Sequence, residues 1–213
     1  MSMGRRLPVY LLLDTSGSMS GEPIEAVRQC LKVLLSELRN DPHALETAYL
    51  SVIVFNSSAQ QVVPLTELLT FQEPNLDAGG STALGEALSL LDKCMDREVM
   101  KSSPSQKGDW KPLVFIITDG QPTDNWESAA DRIKQKRGCN IIACAAGPSA
   151  DEFVLKRITE SVVKLNNLNP GDLSAYFKWV SSSIRMTSQS VTQVSPDTPI
   201  NLPSPPPQIT IVP

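Results

Sequence analysis

Two short runs in this chain are apolar at almost every position, and each stops at an aspartate: Leu7 to Leu13 before Asp14, and Leu113 to Ile117 with Thr118 before Asp119. A strand with one face in water alternates polar and apolar residues. A run without alternation predicts a strand covered on both faces, the hallmark of a parallel sheet with helices on either side. The stretches between such runs agree. Ile24, Val27, Leu31, Leu34, Leu35 and Leu38 recur at three-and-four spacing after Pro23, and Leu84, Ala87, Leu88, Leu91 and Met95 do the same after Thr82. Further strands are expected at Ala48 to Phe55, Gln61 to Leu65, Asn140 to Ala145 and Val162 to Leu165. The Gln61 to Leu65 strand contains Pro64 and follows a tight turn, so it belongs antiparallel at an edge. Helices are expected around Ala129 to Ile133, around Phe153 to Ile158 and from Leu173 to Ile184. The order βαββαβαβαβα predicts an α/β fold: a doubly wound, mostly parallel six-stranded sheet with helices on both faces and right-handed crossovers.

Beyond Met186 the periodicity fails. Seven of the 17 prolines lie there, among Ser, Thr and Gln, until Ile209-Thr210-Ile211-Val212 restores a short β pattern. We therefore divide the chain into a domain at 6–186 and a Pro/Ser/Thr-rich tail at 187–213, read either as flexible or as a strand docked on an exposed edge. The four cysteines have no C-x-x-C spacing and sit in apolar segments, as buried thiols do. A net charge of −4 offers phosphate backbones and anionic lipid no general attraction, so nucleic-acid binding is not expected. Neither a membrane-length apolar run nor a signal-peptide pattern is present, so a cytoplasmic location without membrane insertion is the expectation.

In a doubly wound sheet, ligands bind beyond the carboxyl ends of the strands, where strand order reverses. Asp14 opens Asp14-Thr15-Ser16-Gly17-Ser18, in which alternate side chains Asp14, Ser16 and Ser18 turn towards one place. Thr82, in a glycine-flanked loop, and Asp119 complete the set if the strands ending in Asp14 and Asp119 are neighbours. Five oxygen donors without a Cys or His suit a hard divalent cation: Mg2+, or alternatively Mn2+ or Ca2+. Other candidates have plainer readings. Asp124 is expected to cap the helix that follows it, with support of the metal from behind its direct ligands as the rival reading. His43, the only histidine, is expected in a solvated loop, Trp110 and Trp126 in packing or at a binding rim, and Lys134 to Arg137 at a solvated helix end.

Asp14-Thr-Ser16-Gly-Ser18, Gly80-Ser-Thr82 and Thr118-Asp119-Gly120 together resemble the three pieces of the metal-ion-dependent adhesion site of von Willebrand factor A domains. They occur in the family's order within the expected domain of about 180 residues. The resemblance implies strand order 3-2-1-4-5-6, direct metal ligation by the hydroxyls of Ser16, Ser18 and Thr82, and mostly water-mediated ligation by Asp14 and Asp119. It also implies that the final helix moves on ligand binding. The segments LLLDTSGSM, GGSTALGEAL and ITDGQPTD are most similar to bacterial TerY-type tellurite-resistance proteins. That similarity implies an intracellular stress or tellurite-response complex with kinase and phosphatase proteins as partners, although the tail lacks the Cys and His of the added zinc module some such chains carry.

The expectation is a non-enzymatic, metal-dependent protein-binding module whose partner presents an Asp or Glu to complete the coordination. Two alternatives stand beside it. A metal-dependent phosphatase or hydrolase would use Asp14 as nucleophile, but Ser16 stands where a second acid would be needed and no lysine is obviously paired. A metal-independent scaffold would dock through the tail. A serine hydrolase is excluded because Met19 occupies the nucleophile's place in Gly17-Ser-Met-Ser-Gly21, and Gly79-Gly80-Ser81-Thr82 lacks the spacing of nucleotide-binding loops.

Overall fold

The computed structural model describes residues 5–104, 106–136, 138–190 and 202–213. Seven strands form one sheet: β1 (Leu7–Asp14), β2 (Ala48–Phe55), β3 (Ala59–Glu67), β4 (Leu113–Thr118), β5 (Asn140–Ala146), β6 (Val162–Leu165) and β7 (Ile209–Ile211), ordered β3-β2-β1-β4-β5-β6-β7. β1, β2, β4, β5 and β6 are mutually parallel, while β3 and β7 are antiparallel at the two edges. The doubly wound α/β sheet expected from the sequence is present, with a seventh strand at the β6 edge. β3 extends beyond the expected Gln61 to Leu65, and its pairing with β2 is irregular between Leu50 and Ile53.

β1 explains why the apolar run is continuous. Leu7, Val9, Leu11 and Leu13 enter one core, shared with α1 (Glu22–Arg39) and α6 (Pro170–Ser190). Tyr10 and Leu12 enter the other, shared with α3 (Leu84–Glu98), α4 (Glu127–Lys136) and α5 (Glu152–Ile158). β4 divides likewise, Leu113, Phe115 and Ile117 against Val114 and Ile116. Since successive strand side chains point to opposite faces, a two-sided core requires an apolar residue at every position. Each such side chain contributes about 1.5–3 kcal/mol on burial. All four cysteines are free and buried. No helix of the described residues is long and apolar enough to cross a membrane.

Two elements differ from expectation. A short helix, α2 (Pro42–Thr47), follows α1; Asp41 caps it by accepting from Ala44 N–H at 2.9 Å, so His43 lies on an exposed helix face rather than in a loop. Helix α6 runs past Met186 to Ser190, so the boundary drawn at 186 falls inside a helix. Of the tail, residues 202–213 pack back on the domain through β7; 191–201, with Pro196 and Pro199, lie outside the described residues, as does Arg137 of the basic helix end.

At the end of the sheet opposite Asp14, the polar stretch before β4 is fastened to the strand that starts the chain. Arg6 makes a two-pronged pair with Asp109, Nε to Oδ1 at 2.9 Å and Nη2 to Oδ2 at 2.6 Å. Asp109 also accepts from Met100 N–H, and its side chain is wholly buried. Arg5 lies over the Trp110 ring, 3.7 Å from its centre, so Trp110 serves packing here. Breaking a buried pair strands the remaining charge. Arg6→Ala is therefore expected to lower unfolding free energy by about 3 kcal/mol, measured by urea denaturation, with Arg5→Ala costing clearly less.

Candidate metal centre

Parallel register builds the site. β1 and β4 pair through Leu13↔Ile117, so their next residues, Asp14 and Thr118, meet at the crest of the sheet. The Thr118 hydroxyl donates to Asp14 Oδ2 at 2.5 Å, and Ser16 N–H donates to Asp14 Oδ1 at 2.8 Å. The chain then makes one turn of 3-10 helix, Gly17–Met19, which buries Met19 and brings Ser18 back over the strand end. Ser18 Oγ lies 3.0 Å from Ser16 Oγ and donates to Asp119 Oδ1 at 2.8 Å. Asp14, Ser16, Ser18 and Asp119 thus form one continuous polar cluster. Asp14 and Asp119 are only 1% and 4% exposed.

The loop before α3 brings Thr82 to the same crest. Gly17 N–H donates to Gly80 C=O at 2.9 Å, Gly79 N–H to Thr15 C=O at 2.8 Å, and Ala83 N–H to Asn56 C=O at 2.7 Å. Gly80 takes φ +81°, and a Cβ there would lie 2.3 Å from Ser57 Oγ, so the close approach requires glycine. Thr123 clamps Thr82 from the other side, its hydroxyl accepting from Thr82 N–H and its N–H donating to Thr82 C=O. A Cβ built on Gly120 would sit 3.6 Å from Thr82 Oγ1, so this hydroxyl borders the loop that carries Asp119. All five expected residues are at one end of β1 and β4, with four joined by hydrogen bonds and Thr82 alongside.

The electrostatics favour a cation. Burial raises Asp14 above the ordinary carboxylate value, opposed by hydrogen bonds from Ser16 and Thr118. Burial also raises Asp119, the bond from Ser18 opposes it, and the charge of Asp14 pushes it further up. Hydroxyls and backbone N–H groups, rather than cationic side chains, surround the pair. Among the described residues there is no group of three or more His, Cys, Asp or Glu able to hold a metal. A cation here would depend on hydroxyl oxygens. The donor set fits that demand, because a hydroxyl that donates its proton to a carboxylate, as Ser18 does to Asp119, keeps lone pairs for a hard cation.

Asp124 has a different role from the one expected. Its carboxylate accepts from Gly85 N–H at 3.1 Å and Glu86 N–H at 2.9 Å, so it caps α3 rather than the helix that follows it in sequence. Only a fold that packs the 120s loop onto the start of α3 reveals this partner. A Cβ on Gly85 would lie 2.6 Å from Trp126 Cα, so the glycine permits the contact. Thr118 was likewise readable only as part of a motif, because its hydroxyl's partner is a residue of another strand.

A family model for the von Willebrand factor type A domain matches residues 9–175. The chain belongs to this family. Among solved structures, a von Willebrand factor type A protein from Catenulispora acidiphila aligns with TM-score 0.67 and 18% identity over 86% of this chain and 43% of its own. Proximal thread matrix protein 1 from mussel byssus, in a structure with a zinc-occupied MIDAS motif, aligns with TM-score 0.61 and 18% identity over 85% of this chain and 48% of its own. These likenesses establish the fold. An uncharacterized protein of Synechocystis is 32% identical over 124 residues, and the E3 ubiquitin-protein ligase WAVH1 of Arabidopsis thaliana is 30% identical over 144. The chain spans 26% and 20% of the lengths of these two relatives.

Loss of a cap typically costs about 1 kcal/mol. Asp124→Ala is expected to lower the unfolding free energy by that order, measured by urea denaturation, and Gly85→Ala to be more damaging because its methyl meets backbone.

Proposed function

We propose that this von Willebrand factor type A domain is a divalent-cation-dependent protein-binding module, with Mg2+ as the ion and an Asp or Glu of the partner completing its coordination. The observation that carries the reading is the pair of buried carboxylates, Asp14 and Asp119, linked through Ser16 and Ser18 without a cationic side chain between them. Ser16, Ser18 and Thr82 would hold the ion through their hydroxyls, and Asp14 and Asp119 would balance its charge through water. The bound cation would supply a Lewis-acidic anchor for an external carboxylate. Because three of the five donors are neutral, the site keeps a net attraction for such an anion.

Binding is preferred to turnover on the chemistry of the residues present. A phosphoryl or acyl transfer through Asp14 needs a proton donor or base nearby. Asp14 is instead held by Ser16 and Thr118, and His43 lies on α2, which leads into the β2 end remote from Asp14. The sequence likeness to TerY-type proteins supports a role in a tellurite-resistance or stress complex, with kinase and phosphatase proteins as partners. The free, buried thiols of Cys30, Cys94, Cys139 and Cys144 suit the reducing cytoplasm.

Mg2+ or Mn2+ is expected to raise the melting temperature, EDTA to reverse the shift, and Asp14→Asn to abolish it. The same substitution makes the metal-free protein at least as stable as wild type at pH 7. A carboxylate whose folded pKa is raised loses stability as pH rises through that value, so the advantage of asparagine vanishes on acidification. An unchanged metal response in Asp14→Asn would overturn the reading. So would metal-dependent hydrolysis of p-nitrophenyl phosphate that the substitution eliminates.

A further inference from the structure

Residues 202–213 return to the domain at two places, far along the sheet from the β1–β4 crest. β7 pairs antiparallel with β6 through Leu165↔Ile209, Lys164↔Thr210 and Val163↔Ile211. Val212 N–H extends the ladder to Val162 C=O at 2.9 Å, and Lys156 Nζ donates to Val212 C=O at 2.8 Å. Upstream, the indole N–H of the buried Trp179 on α6 donates to Pro203 C=O at 2.9 Å. Between α6 and the tail runs a groove of about 440 Å3, walled by Ala175, Lys178 and Ser182 on one side and Ser204 and Pro206 on the other.

Two modes of peptide recognition are combined here. Ser204 and Pro205 each precede a proline, which favours an extended, polyproline-like path, and the Pro206 C=O then accepts from Ile209 N–H at 2.9 Å to turn the chain into β7. An aromatic side chain whose N–H takes a carbonyl at the start of such a segment, as Trp179 takes that of Pro203, reads a proline-rich stretch, and an open sheet edge reads the strand that follows it. The chain's own tail is a modest occupant. In β7 only Ile209 is buried, Ile211 is 61% exposed, and the groove beside Ser204 is left unfilled. A tethered segment acts at an effective concentration on the order of millimolar, so weak contacts suffice to dock it in cis.

We propose that the α6–β6 surface is a protein-docking site masked by the chain's own residues 203–212, and that its partner is a proline-rich segment running into a short β-strand. A partner that fills the groove displaces the tail. The site is independent of Asp14 and Asp119, so a chain unresponsive to metal would still possess it.

The test uses a fluorescent peptide of residues 202–213 added in trans to the full chain, read by anisotropy. Thr210 shares its edge with Val212, so Thr210→Pro removes a ladder donor from the tail and leaves the receiving surface intact. The Thr210→Pro chain is expected to bind the peptide at least about 10-fold tighter than wild type, whose own tail competes. A peptide carrying Ile209→Asp should lose binding, and one carrying Ser204→Tyr should bind more tightly by filling the groove. If Thr210→Pro does not melt cooperatively, the Ile209→Asp chain serves as the unmasked form. Equal binding to wild-type and unmasked chains, or undiminished binding of the Ile209→Asp peptide, would overturn the proposal. A concentration-dependent dimer of the unmodified chain, lost in Thr210→Pro, would identify the occupant as a second copy and overturn the assignment to a separate partner.

Discussion

Two carboxylates that burial makes costly to ionise stand at the ends of adjacent parallel strands, and the surrounding loops are arranged to hold them there. Asp14 and Asp119 are brought together by the β1–β4 register, which places Asp14 within 2.5 Å of the Thr118 hydroxyl. Burial raises both carboxylates, and the charge of Asp14 pushes Asp119 further up. Neutral donors, namely Ser16 N–H and the hydroxyls of Thr118 and Ser18, offset part of that cost. The remainder is the physical reason to propose a cation at this crest.

The scaffold makes that cluster rigid. β1 and β4 are buried on both faces, so a one-residue shift of register would send each core's side chains into the other core and spoil the packing of both. Backbone bonds from Gly17 to Gly80 and from Gly79 to Thr15 lock two loops that are distant in sequence. Asp124 then ties the loop after Asp119 to the start of α3, so the Thr82 and Asp119 loops are fastened to each other. Positioning of the hydroxyls comes from these links rather than from the hydroxyls themselves.

Local signals carried most of this information in the chain. The uninterrupted apolar run of β1 announced a sheet covered twice, and the residue after each run marked the crest. Ile24 to Leu38 kept helical spacing because one face of α1 packs on the sheet. The less legible parts depend on partners remote in sequence. Asp124 has the appearance of a cap for its own helix, and only tertiary packing gives it to α3. α2 is too short for periodicity to show, and its signal was the Asp41 cap followed by Pro42. Composition marked a boundary near Met186 because Ser and Thr look like a linker. In the helix, Ser183 and Thr187 instead bond their hydroxyls to the carbonyls of Trp179 and Ser183, which lets α6 continue with these groups buried.

The central claim is that the oxygen cluster at the ends of β1 and β4 is a cation site. Anomalous diffraction from a crystal soaked in Mn2+ addresses it most directly. A single strong anomalous peak bounded by the hydroxyls of Ser16, Ser18 and Thr82, absent from crystals of Asp14→Asn, is the predicted result. A cluster that keeps its direct Ser18–Asp119 bond with no peak beside it, at a Mn2+ concentration that populates other sites in the crystal, would contradict the account.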